Sequence, residues 1–205
     1  MDELIRELKN QGILRSKNII SAFRTVDRAD FVPEKMKDLA YLNRPLPIGA
    51  EQTISQPATV AFMLEFLQPQ KGEKILDVGS GSGWTTALLS HLVGPTGRVE
   101  GLERVDDLVE FGRKNLQKYL AKFSWRNAQI RRSGKILGDP ENAPYDKILV
   151  SASAQELPVE LFAQLREGGV MVIPIQNSIW RITKKEGRAL TEEFPGFVFV
   201  PLLNS

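Results

Sequence analysis

The 205 residues of the chain suffice for one full α/β domain and are short for two. With 42% hydrophobic and 25% charged residues the composition is that of a globular protein, and a formal net charge of +2 is too small to argue for a nucleic-acid surface. The absence of cysteine excludes a disulfide framework, a thiolate metal site and a cysteine nucleophile. No apolar run reaches the length of a membrane span. The opening "MDELIRELKNQGI" is charged and helical in pattern rather than a basic-then-apolar leader, so a soluble, cytoplasmic protein is expected. The basic stretches "RRSGK" (131–135) and "RITKKEGR" (181–188) read as solvated surface charge.

In chain order, Leu4, Ile5 and Leu8 recur at helical spacing, and "SKNIISAFRTV" repeats the pattern with Ser16 as its N-cap. The stretch 31–49 carries three prolines and reads as an irregular, docked segment. A helix opens at "SQPATVAFMLEFL", with Ser55 as cap, Pro57 in the first turn, and Val60, Met63, Leu64 and Leu67 on one face. From there strands (74–79, 98–104, 128–132, 145–152, 169–175) alternate with helices (84–93, 105–120, 158–166). "SIWRITKK" and "FVFVPLL" read as late antiparallel strands. The expected fold class is therefore α/β: a doubly wound, mostly parallel sheet with helices on both faces and a C-terminal antiparallel hairpin.

"ILDVGSGSGWTTALL" (75–89) carries the chemistry. Strand, glycine-rich turn and helix together present backbone N–H groups and a helix N-terminus to a ligand. A dinucleotide fingerprint needs G-x-G-x-x-G, but the third position here is Trp84 and the last glycine falls at Gly83. Glu103 ends the next strand, 20 residues past Gly83, where a carboxylate can accept hydrogen bonds from ribose hydroxyls. Turn plus strand-end acid favours an adenosine-type ligand. His91, the single histidine, lies inside the following helix and reads as structural.

The D-x-G-x-G-x-G turn with Glu103 resembles the cofactor site of class I methyltransferases, which use S-adenosylmethionine. The stretches "VDRADFVP", "AYLNRPLPIG", "QTISQPATVAFMLEFL", "APYDKILVSASA", "ELPVELFAQLREGGVMVIPI" and "FVFVPL" follow one another as in the protein-L-isoaspartate (D-aspartate) O-methyltransferase family, which the chain resembles from end to end. "TISQP" is that family's distinctive active-site stretch. The resemblance implies a single Rossmann-like domain over 1–205, with 1–57 as an N-terminal cap and substrate loop and 58–205 as the cofactor core. It implies methyl transfer to the α-carboxylate of isoaspartyl residues in damaged proteins, whose ester then collapses to a succinimide. By position, Ser55 meets the substrate carboxylate as the catalytic hydroxyl, Thr53 and Ile54 shape the loop, and Gln52 helps close the site. Asp77, Gly79, Ser80 and Gly81, with Ser82 in the same turn, surround the methionine part, and Glu103 holds the ribose. Ser55 can also be a plain helix cap. The implied partners are isoaspartyl-bearing proteins or peptides, with no nucleic acid, membrane or metal, and the chain is expected to act as a monomer.

Two positions depart from the family pattern. Its G-D-G-x-x-G stretch, whose Asp binds the adenine amino group, aligns with "SGKILG" (133–138), leaving Gly134 in the place of that acid and Lys135 in that of a glycine. Asp139 compensates only if the loop shifts. Glu51 stands where the family has glycine before Gln-Thr-Ile-Ser, and it repels a substrate carboxylate unless it points to solvent. Two further readings stand beside the first: methylation of a carboxylate in another peptide, and a binding descendant that kept the fold and lost the cofactor. Trp84 and the TIS stretch disfavour a nicotinamide oxidoreductase.

Overall fold

The computed structural model describes residues 1–203. Helices α1 (Asp2–Asn10) and α2 (Lys17–Thr25) bury Leu4, Ile5, Leu8, Ile19, Ala22 and Phe23, as their spacing dictates. Two 3-10 turns, Arg28–Phe31 and Glu34–Leu39, carry the chain to a hairpin of β1 (Leu46–Gly49) and β2 (Gln52–Ile54). Then follow α3 (Pro57–Leu67), β3 (Lys74–Val78), α4 (Trp84–Val93), β4 (Arg98–Glu103), α5 (Asp106–Phe123) and β5 (Ala128–Arg132). The chain continues through β6 (Tyr145–Val150), α6 (Val159–Ala163), β7 (Leu165–Ile175), β8 (Ser178–Lys185) and β9 (Arg188–Pro195).

The sheet runs β5-β4-β3-β6-β7-β8-β9, parallel from β5 to β7 and antiparallel through β8 and β9. Alternation along the strands feeds two cores. Ile75, Val99, Leu149, Val170 and Val172 face the layer made by α1 to α5, and Leu76, Leu102, Ile148, Met171 and Ile173 face the side that carries α6. The chain leaves β3 for β4 on one side and returns to β6 on the other. The carboxyl ends of β3, β4 and β6 therefore flank a topological switch point, the place where open α/β sheets hold ligands.

The ends of several elements differ from their sequence reading. "FVFVPLL" is not a strand; β9 is formed by the preceding "RALTEEFP". The reason is the tight turn at Glu186 and Gly187, both at positive φ, which pairs Lys185 with Arg188 and uses up the hairpin before Phe197 is reached. Beyond β9 the chain crosses back and makes a bridge between Ser153 and Pro201. Ser55 does not cap α3. The N-cap position is Gln56, and the Ala58 N–H donates instead to Asn43 Oδ1 at 3.0 Å. At α3 a distant side chain thus takes the N–H that the local hydroxyl could have capped. Ser16 does stand at the N-cap of α2, but its hydroxyl makes no cap hydrogen bond and donates to Glu65 Oε2 at 2.7 Å. Among the described residues no helix is long and apolar enough to cross a membrane, and no group of His, Cys, Asp or Glu could hold a metal ion.

Candidate active site

A cavity of about 250 Å³ opens at the switch point. Its floor is the turn between β3 and α4, where Gly79, Gly81 and Gly83 all take positive φ. The Gly79 and Ser80 N–H groups donate to Leu102 O at 2.8 and 3.0 Å, lashing the turn to β4. Gly83 has to be a glycine on a second count: a Cβ there would stand 3.0 Å from Gly112 O on α5 and 3.0 Å from Ile130 Cδ1. The close approach of α4 to the sheet, which a dinucleotide fingerprint obtains from its third glycine, comes from β4. A Cβ on Gly101 would lie 2.9 Å from Thr86 Oγ1. That frees position 84 for an indole.

Glu103 is buried and triply held. Its Oε2 accepts from Gly81 N–H at 2.9 Å, and its Oε1 from Arg104 N–H at 2.7 Å and Val105 N–H at 3.0 Å. The carboxylate thus splints the glycine turn to the start of α5 while lining the cavity. A carboxylate has about four lone-pair directions, so acceptor capacity remains for a ligand hydroxyl.

The structure brings most of the residues singled out in the sequence into this one space. Gln52, Thr53, Ile54 and Ser55 from the β1–β2 hairpin, Gly79, Ser80, Gly81 and Ser82 from the turn, and Glu103 all line it. Asp77 and Gly134 do not. Asp77 is fully buried beneath the turn; its Oδ2 accepts from the Thr85 and Thr86 hydroxyls at 2.8 and 2.6 Å, and its Oδ1 has no hydrogen-bond partner. Burial pushes its pKa up to about 6, against the two threonine hydrogen bonds that pull it down, with the nearby Glu103 adding to the rise. Its place is that of a support under the turn.

The far end of the cavity, beyond Glu103, is lined by Arg104, Val105, Ser133, Ile136, Leu137 and Gly138, with no acid among them. Asp139 faces away, taking hydrogen bonds from the Tyr145 hydroxyl at 2.6 Å and from Arg131 and Asn142. It does not compensate for Gly134. Glu51 is exposed and lies outside the lining, at a hairpin turn where Ala50 and Glu51 have φ of 48° and 58°. His91 is also remote from the cavity, with Nδ1 3.0 Å from the Tyr119 hydroxyl oxygen.

Other walls were not singled out as site residues in the sequence, although most of them fall in stretches that carry the family resemblance. Ser151 and Ala152 follow β6, and the tail residues Val200 to Leu203 form a rim, tied by Ser153 N–H to Val200 O and Leu202 N–H to Ser153 O, both at 2.8 Å. The interior is suited to a ligand with polar groups: Ser80 Oγ and Trp84 Nε1, both on lining residues, are buried without a protein partner. A ligand carrying ribose and amino-acid groups offers what these orphaned atoms lack, and the glycine turn leaves it room. The residues present therefore fit an adenosyl cofactor.

Comparison with known proteins narrows this further. The family model for protein-L-isoaspartate(D-aspartate) O-methyltransferase matches residues 1–205. A protein-L-isoaspartate O-methyltransferase of Methanopyrus kandleri is 42% identical over 98% of this chain and 90% of its own length. One of Ignicoccus hospitalis is 40% identical over 98% of this chain and 96% of its own. A Plasmodium falciparum chain described as a protein-L-isoaspartate O-methyltransferase, crystallised with S-adenosyl-L-homocysteine, superposes with a TM-score of 0.87 at 30% identity, covering 99% of this chain and 98% of its own. With a full-length match to the family model and a fold shared over the whole chain, the protein belongs to the protein-L-isoaspartate (D-aspartate) O-methyltransferase family.

Proposed function

We infer that the chain is a protein-L-isoaspartate O-methyltransferase using S-adenosylmethionine, and that the residues of the switch-point cavity divide between the two ligands. The observation that carries this reading is that one cavity joins the glycine turn and Glu103 to Thr53, Ile54 and Ser55, so that a cofactor and an acceptor share a single space. When bound, the cofactor supplies an electrophilic methyl group on a sulfonium.

The chain's own part is to bind, orient and exclude water. Glu103 accepts from the ribose hydroxyls, and its three backbone bonds keep it from swinging away. The glycine turn, with Ser80 and Ser82, holds the amino-acid end over Asp77. The Ser55 hydroxyl, released from capping duty by Asn43, donates to the acceptor's α-carboxylate. That carboxylate is already ionised at neutral pH, so no general base is required, in keeping with a cavity whose lining holds no histidine. Ile54, Val60, Trp84 and Leu202 wall the transfer end with apolar surface. Holding the reactants in line in a dry site is the principal source of acceleration available here. On this reading the enzyme works in the cytoplasm as a monomer on isoaspartyl-bearing proteins, with 1–57 as cap and substrate loop and 58–205 as cofactor core.

The test is methyl transfer from labelled S-adenosylmethionine to an isoaspartyl peptide and to its normal aspartyl twin. Transfer confined to the isoaspartyl form is expected; equal rates, or none, overturn the assignment.

A further inference from the structure

Arg28 is a fully buried cation that the reading above leaves unused. It opens the first 3-10 turn, and burial alone lowers its pKa to about 10, with no carboxylate acting on it. Its two terminal nitrogens donate to main-chain carbonyls from two separate segments, while Nε is buried without a hydrogen-bond partner. Nη1 donates to Ala40 O at 2.6 Å, and Nη2 donates to both Arg44 O and Ser55 O at 3.1 Å each. The guanidinium carbon sits 5.3 Å from the centre of the Trp84 ring, which in turn meets Phe23 edge-on at 5.5 Å. Ser55 and Trp84 both line the cavity, one at the acceptor loop and the other at the end of the glycine turn.

Burying a cation without an acid is costly, and an apolar side chain of similar volume would avoid that cost. What an apolar side chain lacks is the fork. One nitrogen bridges the 40–44 segment to the Ser55 carbonyl, while the flat face of the same group lies against the indole. Asn43 ties the same two segments a few residues on, through its bond to the Ala58 N–H.

We propose that Arg28 is a positioning residue for the methyl acceptor: it locks the main chain at Ser55 against the 40–44 segment and the Trp84 indole, and so sets where the Ser55 hydroxyl stands relative to the cofactor turn. The proposal rests on the reading that Ser55 meets the acceptor carboxylate. Because transfer requires near-attack alignment, a shift of this loop by about 1 Å is sufficient to cost about two decades of rate.

Arg28→Lys retains the charge and loses the fork, and two measurements read the result. Hydrogen exchange at the amides of Thr53 to Ser55 is expected to quicken at least about tenfold, while exchange in the 79–83 turn stays at the parent's rate. Turnover of an isoaspartyl peptide, expressed per cofactor-binding site titrated by calorimetry, is expected to fall about 10- to 100-fold in kcat, with the cofactor dissociation constant within about threefold of the parent's. A role confined to stability would lower the melting temperature and the number of competent sites while leaving kcat per site and the exchange pattern unchanged, and that result overturns the proposal. If Arg28→Lys does not fold, Asn43→Ala cuts the neighbouring tie between the same segments and is read by the same two measurements; unchanged exchange and turnover there overturn the proposal. A parent that binds cofactor but methylates no isoaspartyl peptide counts against the repair reading alone, and the exchange data then decide on Arg28.

Discussion

Asp77→Asn tests the electrostatics under the glycine turn. In the folded protein the carboxyl titrates at about 6, against a reference of 3.8, because no water reaches it. Well below pH 3.8 the group is protonated in both folded and unfolded chains and imposes nothing. As pH rises the unfolded chain releases its proton first, so the folded state binds more protons and loses stability until its own carboxyl has ionised, near pH 6. Above that the penalty is constant, and the gap between the two values converts to about 3 kcal/mol as an upper limit. The Asn carbonyl can still accept from both Thr85 and Thr86, but its amide nitrogen then occupies the place of Oδ1, which has no partner, at a cost of about 1–2 kcal/mol. The net expectation is a gain of about 1–2 kcal/mol at pH 7.5, or roughly 2–8 °C in melting temperature for a domain of this size. Thermal melts of both proteins from about pH 4 to pH 7.5 should show this advantage shrink and reverse in sign towards acid. A difference between the two that is the same at every pH would refute the reasoning.

The remaining expectations concern the cavity and its hairpin. Ser55→Ala removes a hydroxyl that caps nothing, so its melting temperature should match the parent's, while kcat/KM for an isoaspartyl peptide falls by roughly 10- to 100-fold, the usual value of a hydrogen bond to a charged group; steady-state kinetics with unchanged turnover would remove its role. Gly134→Asp should fold as the parent does, because nothing lies within 4 Å of the position its Cβ would take and its backbone is not left-handed. If the restored acid reaches the base, calorimetry should show S-adenosylhomocysteine binding about tenfold or more tighter. Glu51→Gly relieves a side chain at φ 58° and should raise the melting temperature by about 1–3 °C with cofactor affinity unchanged.

The course of the chain through its core was open to reading because local rules and tertiary demands agree there. Val60, Met63, Leu64 and Leu67 form the buried face of α3 as their spacing dictates, and the βα units follow from periods of two and 3.6. The errors fall where a distant partner decides. Ser55 has the chemistry of a cap, but Asn43 takes the Ala58 N–H. Ser16 does take the N-cap position of α2, though its hydroxyl goes to Glu65 and not to the helix. "FVFVPLL" has strand propensity, but the hairpin before it closes first, and the segment becomes a cavity wall instead. Trp84 was legible only as a break in a fingerprint; its place between Arg28 and the cavity depends on Gly101 bringing α4 close to the sheet.

The candidate site divides the same way. The sequence by itself determined the fold class, the position of the glycine turn, the acid at the end of β4 and the Thr-Ile-Ser stretch, because each is a short run whose chemistry is set by its own residue types. Only the tertiary structure decided that Asp77 lies under the turn rather than in the cavity, that Asp139 faces away from the base end, and that Arg28 reaches Ser55. These depend on where side chains point across the fold, on burial and on which of several competing partners stands nearest. A one-dimensional pattern carries none of that information.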